Sequence, residues 1–315
     1  MVPTPLGTGN DGRLARIAEA STSERHSGRT TTPCPPEAQQ HHTTVPVQAS
    51  PVQGDRVPTT LAITNQKGGV GKTTTAISVS AALAQQGQRV LLVDLDPQAN
   101  ATSGLGLRDA TVPTSVYEML MEDGDVNEAM LDTDVDGLRL LPSTIDLAGA
   151  EVELVSAFTR EQRLRSKLAH VPDDVDIILI DCPPSLGLLT INAMVAADAV
   201  IVPIQCEYYA LEGLEALRRN IELVRSHLNP SLEILGFVLT MLDARTRLSQ
   251  QVVDEVRLHF GDKVFEASVP RSVRLAEAPG FGQPITAFDP TSRGAVAYQA
   301  LAREMLGRLP VTDPQ

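Results

Sequence analysis

An apolar stretch, Thr60–Thr64, gives way to Lys67-Gly68-Gly69-Val70-Gly71-Lys72-Thr73-Thr74, and a helical pattern follows over Lys72–Gln86. A strand that empties into a glycine-rich turn and then a helix leaves few folds open. Glycine at 68, 69 and 71 lets backbone N–H groups point inward around an anion, at the positive end of the next helix. Lys72 adds a compact charge for the β- and γ-phosphates of a nucleotide, and the Thr73 hydroxyl is placed to coordinate Mg²⁺. Residues Lys67, Gly68, Gly69, Val70, Gly71, Lys72, Thr73 and Thr74 are therefore the expected phosphate-binding set.

The remaining chain supports one fold class. Further strands are expected at Arg89–Asp94, Leu138–Leu141, Val175–Asp181, Ala199–Ile204 and Ile234–Thr240, with a short one near Val264–Val269. Helical patterns such as Glu212–Leu228 lie between most of them. Runs such as VLLVD, IILID and AVIVPI are continuously apolar, as in parallel strands buried on both faces. The expectation is an α/β fold: a single doubly wound, mainly parallel sheet with helices on both faces. With 42% hydrophobic residues but only 3% aromatics and no Trp, the chain suits a Val/Ile/Leu/Ala core. Residues 1–57 are rich in Pro, Thr, Ser and Gln without apolar periodicity and read as a disordered tail. The domain is expected over 58–309, with a short tail at 310–315.

Two strand ends carry carboxylates. Asp181 closes IILID at the sheet's C-terminal edge, where α/β sheets bind ligands, and is the expected Mg²⁺ partner. The second strand runs into Asp94-Leu95-Asp96-Pro97-Gln98-Ala99-Asn100. A carboxylate beside a γ-phosphate is repelled unless metal and lysine screen it, so its presence suggests a catalytic purpose. Pro97 fixes the turn after Asp96. A rigid turn, Pro183-Pro184-Ser185-Leu186-Gly187, follows Asp181.

The phosphate loop begins with a lysine where a small residue is usual. This KGGVGKTT form resembles the deviant Walker A loop of P-loop ATPases in the ParA/MinD/nitrogenase-iron-protein class. DLDPQAN with ATSGLG, IDCPPSLG, EYYALEGL, TMLDARTRLSQQVVDEVR and VPRSVRLAEAPGFGQPI are similar to the ParA/Soj chromosome- and plasmid-partitioning ATPases, over nearly all of 59–308. The resemblance implies slow, Mg²⁺-dependent ATP hydrolysis and an ATP-dependent homodimer in which Lys67 reaches the partner's nucleotide. It implies that Gly68 lies where two phosphate loops meet, that Lys67, Lys72 and Asp96 are catalytic, and that Asp96 orients or deprotonates the attacking water. Asp94 is read as structural or as part of the Mg²⁺ shell. Met241, Asp243 and Pro270 are implied to lie near the adenine. Arg245 and Arg274 match positions used for non-sequence-specific binding of double-stranded DNA, with Arg247 and Arg271 as helpers. The competing reading of these arginines is surface pairing with neighbours such as Asp243 or Glu277. A ParB-like centromere-binding protein is the implied activator, and the implied location is cytoplasmic and nucleoid-associated.

Charge bounds the DNA reading. The net charge is −13, and Asp94–Asp136 holds eleven acids against one base, Arg108, so only a local patch can meet DNA. Thr240–Gly280 is balanced, with six bases and six acids, and is the better place for one. The alternative function is a MinD-like or orphan ParA-like ATPase that positions a membrane or protein cargo. Against membrane attachment, the last helical pattern, Ala297–Leu309, lacks a lysine cluster, and no stretch approaches a membrane span. Cys34, Cys182 and Cys206 form no metal spacing and fit a reducing compartment.

Overall fold

The computed structural model describes residues 57–108, 114–122, 124–207 and 210–309. The tail expected over 1–57 lies, apart from residue 57, outside the described residues, as do 310–315 and Tyr208 and Tyr209 of the EYYALEGL motif. The strands are β1 (Thr59–Ile63), β2 (Val90–Asp94), β3 (Leu131–Asp132), β4 (Leu138–Leu141), β5 (Ile177–Asp181), β6 (Ala199–Gln205) and β7 (Glu233–Thr240). The helices of the first half are α1 (Lys72–Gln85), α2 (Asn100–Gly104), α3 (Val116–Met121), α4 (Val126–Ala129), α5 (Leu147–Glu153) and α6 (Arg163–Leu168). Then come α7 (Leu188–Ala196), α8 (Ala210–His227), α9 (Arg247–Phe260), α10 (Val273–Glu277), α11 (Ile285–Phe288) and α12 (Arg293–Arg308).

The strands form one seven-stranded sheet in the order β3-β4-β2-β5-β1-β6-β7. Among the described strands only β3 runs antiparallel, against β4. The continuous apolar runs have the cause expected of them: all five residues of β2 and of β5 are buried. Alternate strand residues serve different faces, as the twofold side-chain period requires. Leu61, Ile63, Leu92 and Leu179 point into a core shared with α1 and α12, whereas Ala62, Leu91, Val93, Ile178 and Ile180 join one built with α3 to α9. Burying each such leucine or isoleucine contributes about 1.5–3 kcal/mol.

Three local differences from the sequence reading have physical reasons. Residues 264–269 make no strand, only isolated bridges from Val264 to Phe237 and from Pro270 to Leu242. Between those bridges, the amides of Glu266 and Ala267 donate to the Glu304 carboxylate, at 2.9 and 3.0 Å, instead of continuing the ladder. Two-residue β3 gave no apolar run to recognise. The last helix starts four residues earlier than expected because the Ser292 hydroxyl caps it, accepting from the Ala295 amide at 3.2 Å.

The chain leaves β1 for β2 on one side and later returns to place β5 and then β6 as the two neighbours of β1. The C-terminal ends of β2, β5 and β1 therefore lie side by side, and the registers Ile63↔Asp181 and Asp94↔Asp181 set both carboxylates beside the start of the phosphate loop.

Candidate functional site

The loop between β1 and α1 has the backbone that its glycines permit. Gly69 and Gly71 have φ of 74° and 86°, a region costly for residues with a Cβ. Gly68 is different: a Cβ built there meets nothing within 4 Å. Nothing within the described subunit requires glycine at that position.

Two residues not singled out from sequence pin the loop. The Asn65 side chain donates to the Pro203 carbonyl at 2.7 Å and accepts from the Lys67 amide at 3.0 Å. The Thr240 hydroxyl, at the end of β7, donates to the Val70 carbonyl at 2.8 Å. Polar residues at strand ends are common, so sequence gives no signal that separates these two from turn residues. On the helix side, Thr75 hydrogen-bonds the buried Tyr298 hydroxyl at 3.1 Å, tying α1 to α12.

Lys72 is buried, and its Nζ donates to the Lys67 carbonyl at 3.3 Å. Burial pulls its pKa down, against the upward pull of Asp181 and Asp96. Lys67 takes another direction: its partly exposed ammonium lies 3.6 Å from the Glu207 carboxylate.

The carboxylates divide sharply. Asp94 accepts from the Thr102 amide and hydroxyl at 2.8 and 2.7 Å, and from the Asp96 amide at 3.3 Å. Burial still pushes its pKa up to about 6, these hydrogen bonds opposing. Thr102 in turn accepts from the Ser143 amide at 3.0 Å. Asp181 is fully buried, and neither of its oxygens has a hydrogen-bond partner. Burial first, and the Asp94 charge second, hold its pKa well above the carboxylate range. The nearby Thr73 side chain and Lys72 only partly offset them. A buried carboxylate left unpartnered is costly. Oxygen donors from Asp181 and Thr73 suit a hard cation that takes its other ligands from phosphate and water, which fits Mg²⁺. Asp96, 6% exposed, follows Asp94 at the same sheet edge, and its Oδ1 accepts from the Gln98 amide at 2.9 Å.

A cavity of about 430 Å³ opens beside the loop, lined by Gly71, Thr74, Thr240, Met241, Pro270 and Tyr298 among others. Its walls can take a flat apolar ring. Met241 turns the chain there with a φ of 52°. Asp243 does not line the cavity, since its carboxylate is gripped by Arg245, with Nε and an η-nitrogen each at 2.8 Å. Those hydrogen bonds hold the Asp243 pKa down at about 2.

The four arginines singled out from sequence differ in their surroundings. Arg245 is 89% exposed beyond its pairing with Asp243. Arg274 pairs with Glu277 at 3.1 Å and Asp289 at 3.3 Å and lies over the Phe288 ring. Arg247 opens α9, and Arg271 borders the cavity. The competing reading of Arg245 and Arg274 as partners of nearby acids thus describes their state in the single chain. Cys182 and Cys206 are free and buried, and burial raises both thiols, Cys206 to about 11.

The family model described as "AAA domain" matches residues 58–234. The chain is 57% identical to the Sporulation initiation inhibitor protein Soj of Bacillus subtilis over 245 residues, 78% of this chain and 97% of the relative. It is 52% identical to the Chromosome partitioning protein ParA of Myxococcus xanthus, over 79% of this chain and 88% of that protein. Among solved structures it is similar to one from Mycobacterium smegmatis described as Cobyrinic Acid a,c-diamide synthase with bound ATP analog and Magnesium. That match has a TM-score of 0.72 and 41% identity and covers 82% of this chain and 98% of the other.

Proposed function

Because this chain belongs to the ParA/Soj family of chromosome-partitioning P-loop ATPases, we propose that it is an ATP-switched DNA-partitioning protein whose two states are a free subunit and a DNA-bound dimer. The single observation that carries the nucleotide half of this reading is Asp181: a fully buried carboxylate without a hydrogen bond, beside Lys72 and Thr73. A bound cation gives that charge a partner. Thr73 and Asp181 are the residues that would hold Mg²⁺, which supplies positive charge for the β- and γ-phosphate oxygens. The M. smegmatis relative, described with an ATP analog and magnesium, supports the same cofactor pair here.

In this mechanism the amides of Gly68 to Thr74 and the Lys72 ammonium hold the phosphates. The cavity at Met241 and Pro270 receives the adenine. Asp96 orients a water against the γ-phosphate and accepts its proton. Lys67 releases Glu207 and reaches the nucleotide of a second subunit, while the open space at Gly68 lets the two loops approach. Hydrolysis removes the bridging charge and the pair parts. Turnover is slow without a ParB-like protein.

Arg245 and Arg274, helped by Arg247 and Arg271, give each subunit a weak patch for phosphate backbones. Non-specific affinities are typically about 10⁻⁴–10⁻⁶ M, and joining two patches on one dimer raises the effective affinity by about 10²-fold or more. Dimerisation thereby becomes the DNA switch. The membrane-positioning alternative has less support. Tyr298, Leu301, Ala302 and Met305 of the last described helix are buried in the core, and no described helix is long and apolar enough to cross a bilayer.

The test is binding to a random-sequence duplex with Mg²⁺ and either a slowly hydrolysed ATP analogue or ADP, at two salt concentrations. Tight, salt-sensitive binding only with the analogue supports the reading. Dimeric protein that ignores DNA and sediments with lipid vesicles points to the membrane branch instead.

A further inference from the structure

The chain leaves β5 at Asp181 and crosses to α7 through Pro183-Pro184-Ser185-Leu186-Gly187. The near end of this turn is tied to the sheet. The Cys182 amide donates to the Ile63 carbonyl at 3.2 Å, and Pro183 is buried. Two residues span at most about 7 Å, so Pro183 stays close to whatever the Asp181 carboxylate holds. The middle of the turn has less to fix it. Pro184, Ser185 and Leu186 are exposed, and α7 starts behind Gly187 without a side-chain cap.

One buried side chain reaches back to it. Thr190, 1% exposed, donates its hydroxyl to the Ser185 carbonyl at 2.7 Å. A helical threonine usually returns its hydroxyl to the carbonyl three or four residues earlier. Ser185 lies five residues back, before the N-cap, so this bond joins the helix to the turn. The helix is itself well anchored. Leu189, Asn192 and Ala193 are fully buried, and Asn192 donates to the Arg160 and Leu188 carbonyls at 2.7 and 2.9 Å. Its Oδ1 accepts from the Leu164 amide of α6 at 3.1 Å. The turn therefore hangs from a fixed support.

The two partners do not depend on the bond equally. Ser185 is exposed, and water can replace Thr190 at its carbonyl. The Thr190 hydroxyl is buried and would be left unsatisfied if the turn moved away, which is the costly side of the exchange. That asymmetry restrains the turn. Pro183 and Pro184 have locked φ angles, so a displacement at Ser185 passes along a stiff link toward the end beside Asp181.

We infer that Thr190 is a positioning residue for hydrolysis: through Ser185 it holds the Pro183–Gly187 turn against the terminal phosphate of ATP and its cation. This rests on the ATPase reading above and adds a residue outside the phosphate loop and the strand-end carboxylates. Thr190 touches neither nucleotide nor cation and acts only through the turn. ADP has no terminal phosphate for the turn to meet, so its binding does not depend on Thr190.

The test compares Thr190→Val, Thr190→Ser and Thr190→Ala with wild type, each as the full chain with Mg²⁺. Turnover is followed by phosphate release over a range of ATP concentrations, and ADP affinity by titration calorimetry. Valine keeps the shape of threonine and has a similar helix propensity, so Thr190→Val is expected to fold. It should lower kcat about tenfold while KM for ATP and the affinity for ADP stay at wild-type values. Thr190→Ser, which keeps the hydroxyl, should recover most of kcat. Thr190→Ala, which lacks it, should be as slow as Thr190→Val, and this pair carries the comparison if the valine variant does not fold. Wild-type kcat in both variants without a hydroxyl overturns the inference, as does a serine variant as slow as they are. Equal losses in kcat and ADP affinity also overturn it, because Thr190 then supports the whole site rather than the turn. A wild-type chain without ATP turnover would refute the ATPase reading itself, a separate result.

Discussion

Asp94 and Asp181 stand opposite one another at the ends of adjacent parallel strands, both fully buried, and only Asp94 is hydrogen-bonded. Asp181→Asn replaces a buried carboxyl group that lacks a hydrogen-bond partner and resists ionising. We predict that the nucleotide-free variant melts a few degrees higher than wild type, while Mg²⁺-dependent ATP hydrolysis falls at least about 100-fold. Thermal melts and phosphate release measure the two sides, and unchanged turnover would refute the assignment of Asp181.

Thr102 satisfies Asp94 twice and also accepts from Ser143, so one hydroxyl joins β2, α2 and the chain after β4. Thr102→Ala should cost about 1–3 kcal/mol in denaturant unfolding. It should also lower turnover without changing ATP affinity, because Asp94 holds the Asp96 amide.

The space at Gly68 is free within the subunit. Gly68→Val should therefore fold with wild-type stability and bind ATP, yet remain monomeric with ATP and Mg²⁺ in sedimentation velocity. Lys67→Ala should also remain monomeric, for lack of charge rather than lack of room. A Gly68→Val dimer would remove the interface from this surface.

Glu304 takes the amides of Glu266 and Ala267 and pairs with Arg308 at 2.7 Å. Burial pushes its pKa up, but the two amides and Arg308 outweigh this, and the folded value lies below the ordinary 4.5. A depressed carboxylate stabilises the fold above the unfolded pKa and loses that contribution as pH falls through the folded one. Glu304→Gln should cost about 1–2 kcal/mol at pH 7. The gap between variant and wild type should close as the pH drops below about 4.5, read from urea midpoints along a pH series.

Arg245 and Arg274 are engaged by Asp243, Glu277 and Asp289, and in the proposed DNA complex the phosphates compete with those carboxylates. Arg274→Ala should weaken duplex binding similarly for all sequences and reduce the slope of log K against log salt by about 1 for each phosphate no longer neutralised. An unchanged slope would leave Arg274 as a structural clasp between α10 and the chain before α12.

Much of this architecture was legible because its signals are local. IILID and VLLVD carry the signature of strands buried on both faces, and KGGVGKTT between a strand and a helix carries that of a phosphate loop. The carboxylates at 94, 96 and 181 could be read as strand ends facing one edge. What escaped was long-range. Asn65 reaches Pro203, Thr240 reaches Val70 and Thr75 reaches Tyr298, and none of these pairs has a mark in its own neighbourhood. The segment 264–269 looks like a strand because its residues favour one. Its amides are claimed by Glu304, on a helix that the local sequence does not contain.

The hold of Glu304 on residues 266 and 267, together with the Tyr298–Thr75 bond, fixes an order of events in synthesis. The first helix and the outer border of the sheet are both completed by side chains near residue 300. Until these have left the ribosome, the flank of β7 presents unpaired amides and the inner side of α1 lacks its cover. A chain stalled before α12 is thus expected to leave those amides and the inner side of α1 uncovered, a state open to non-native pairing.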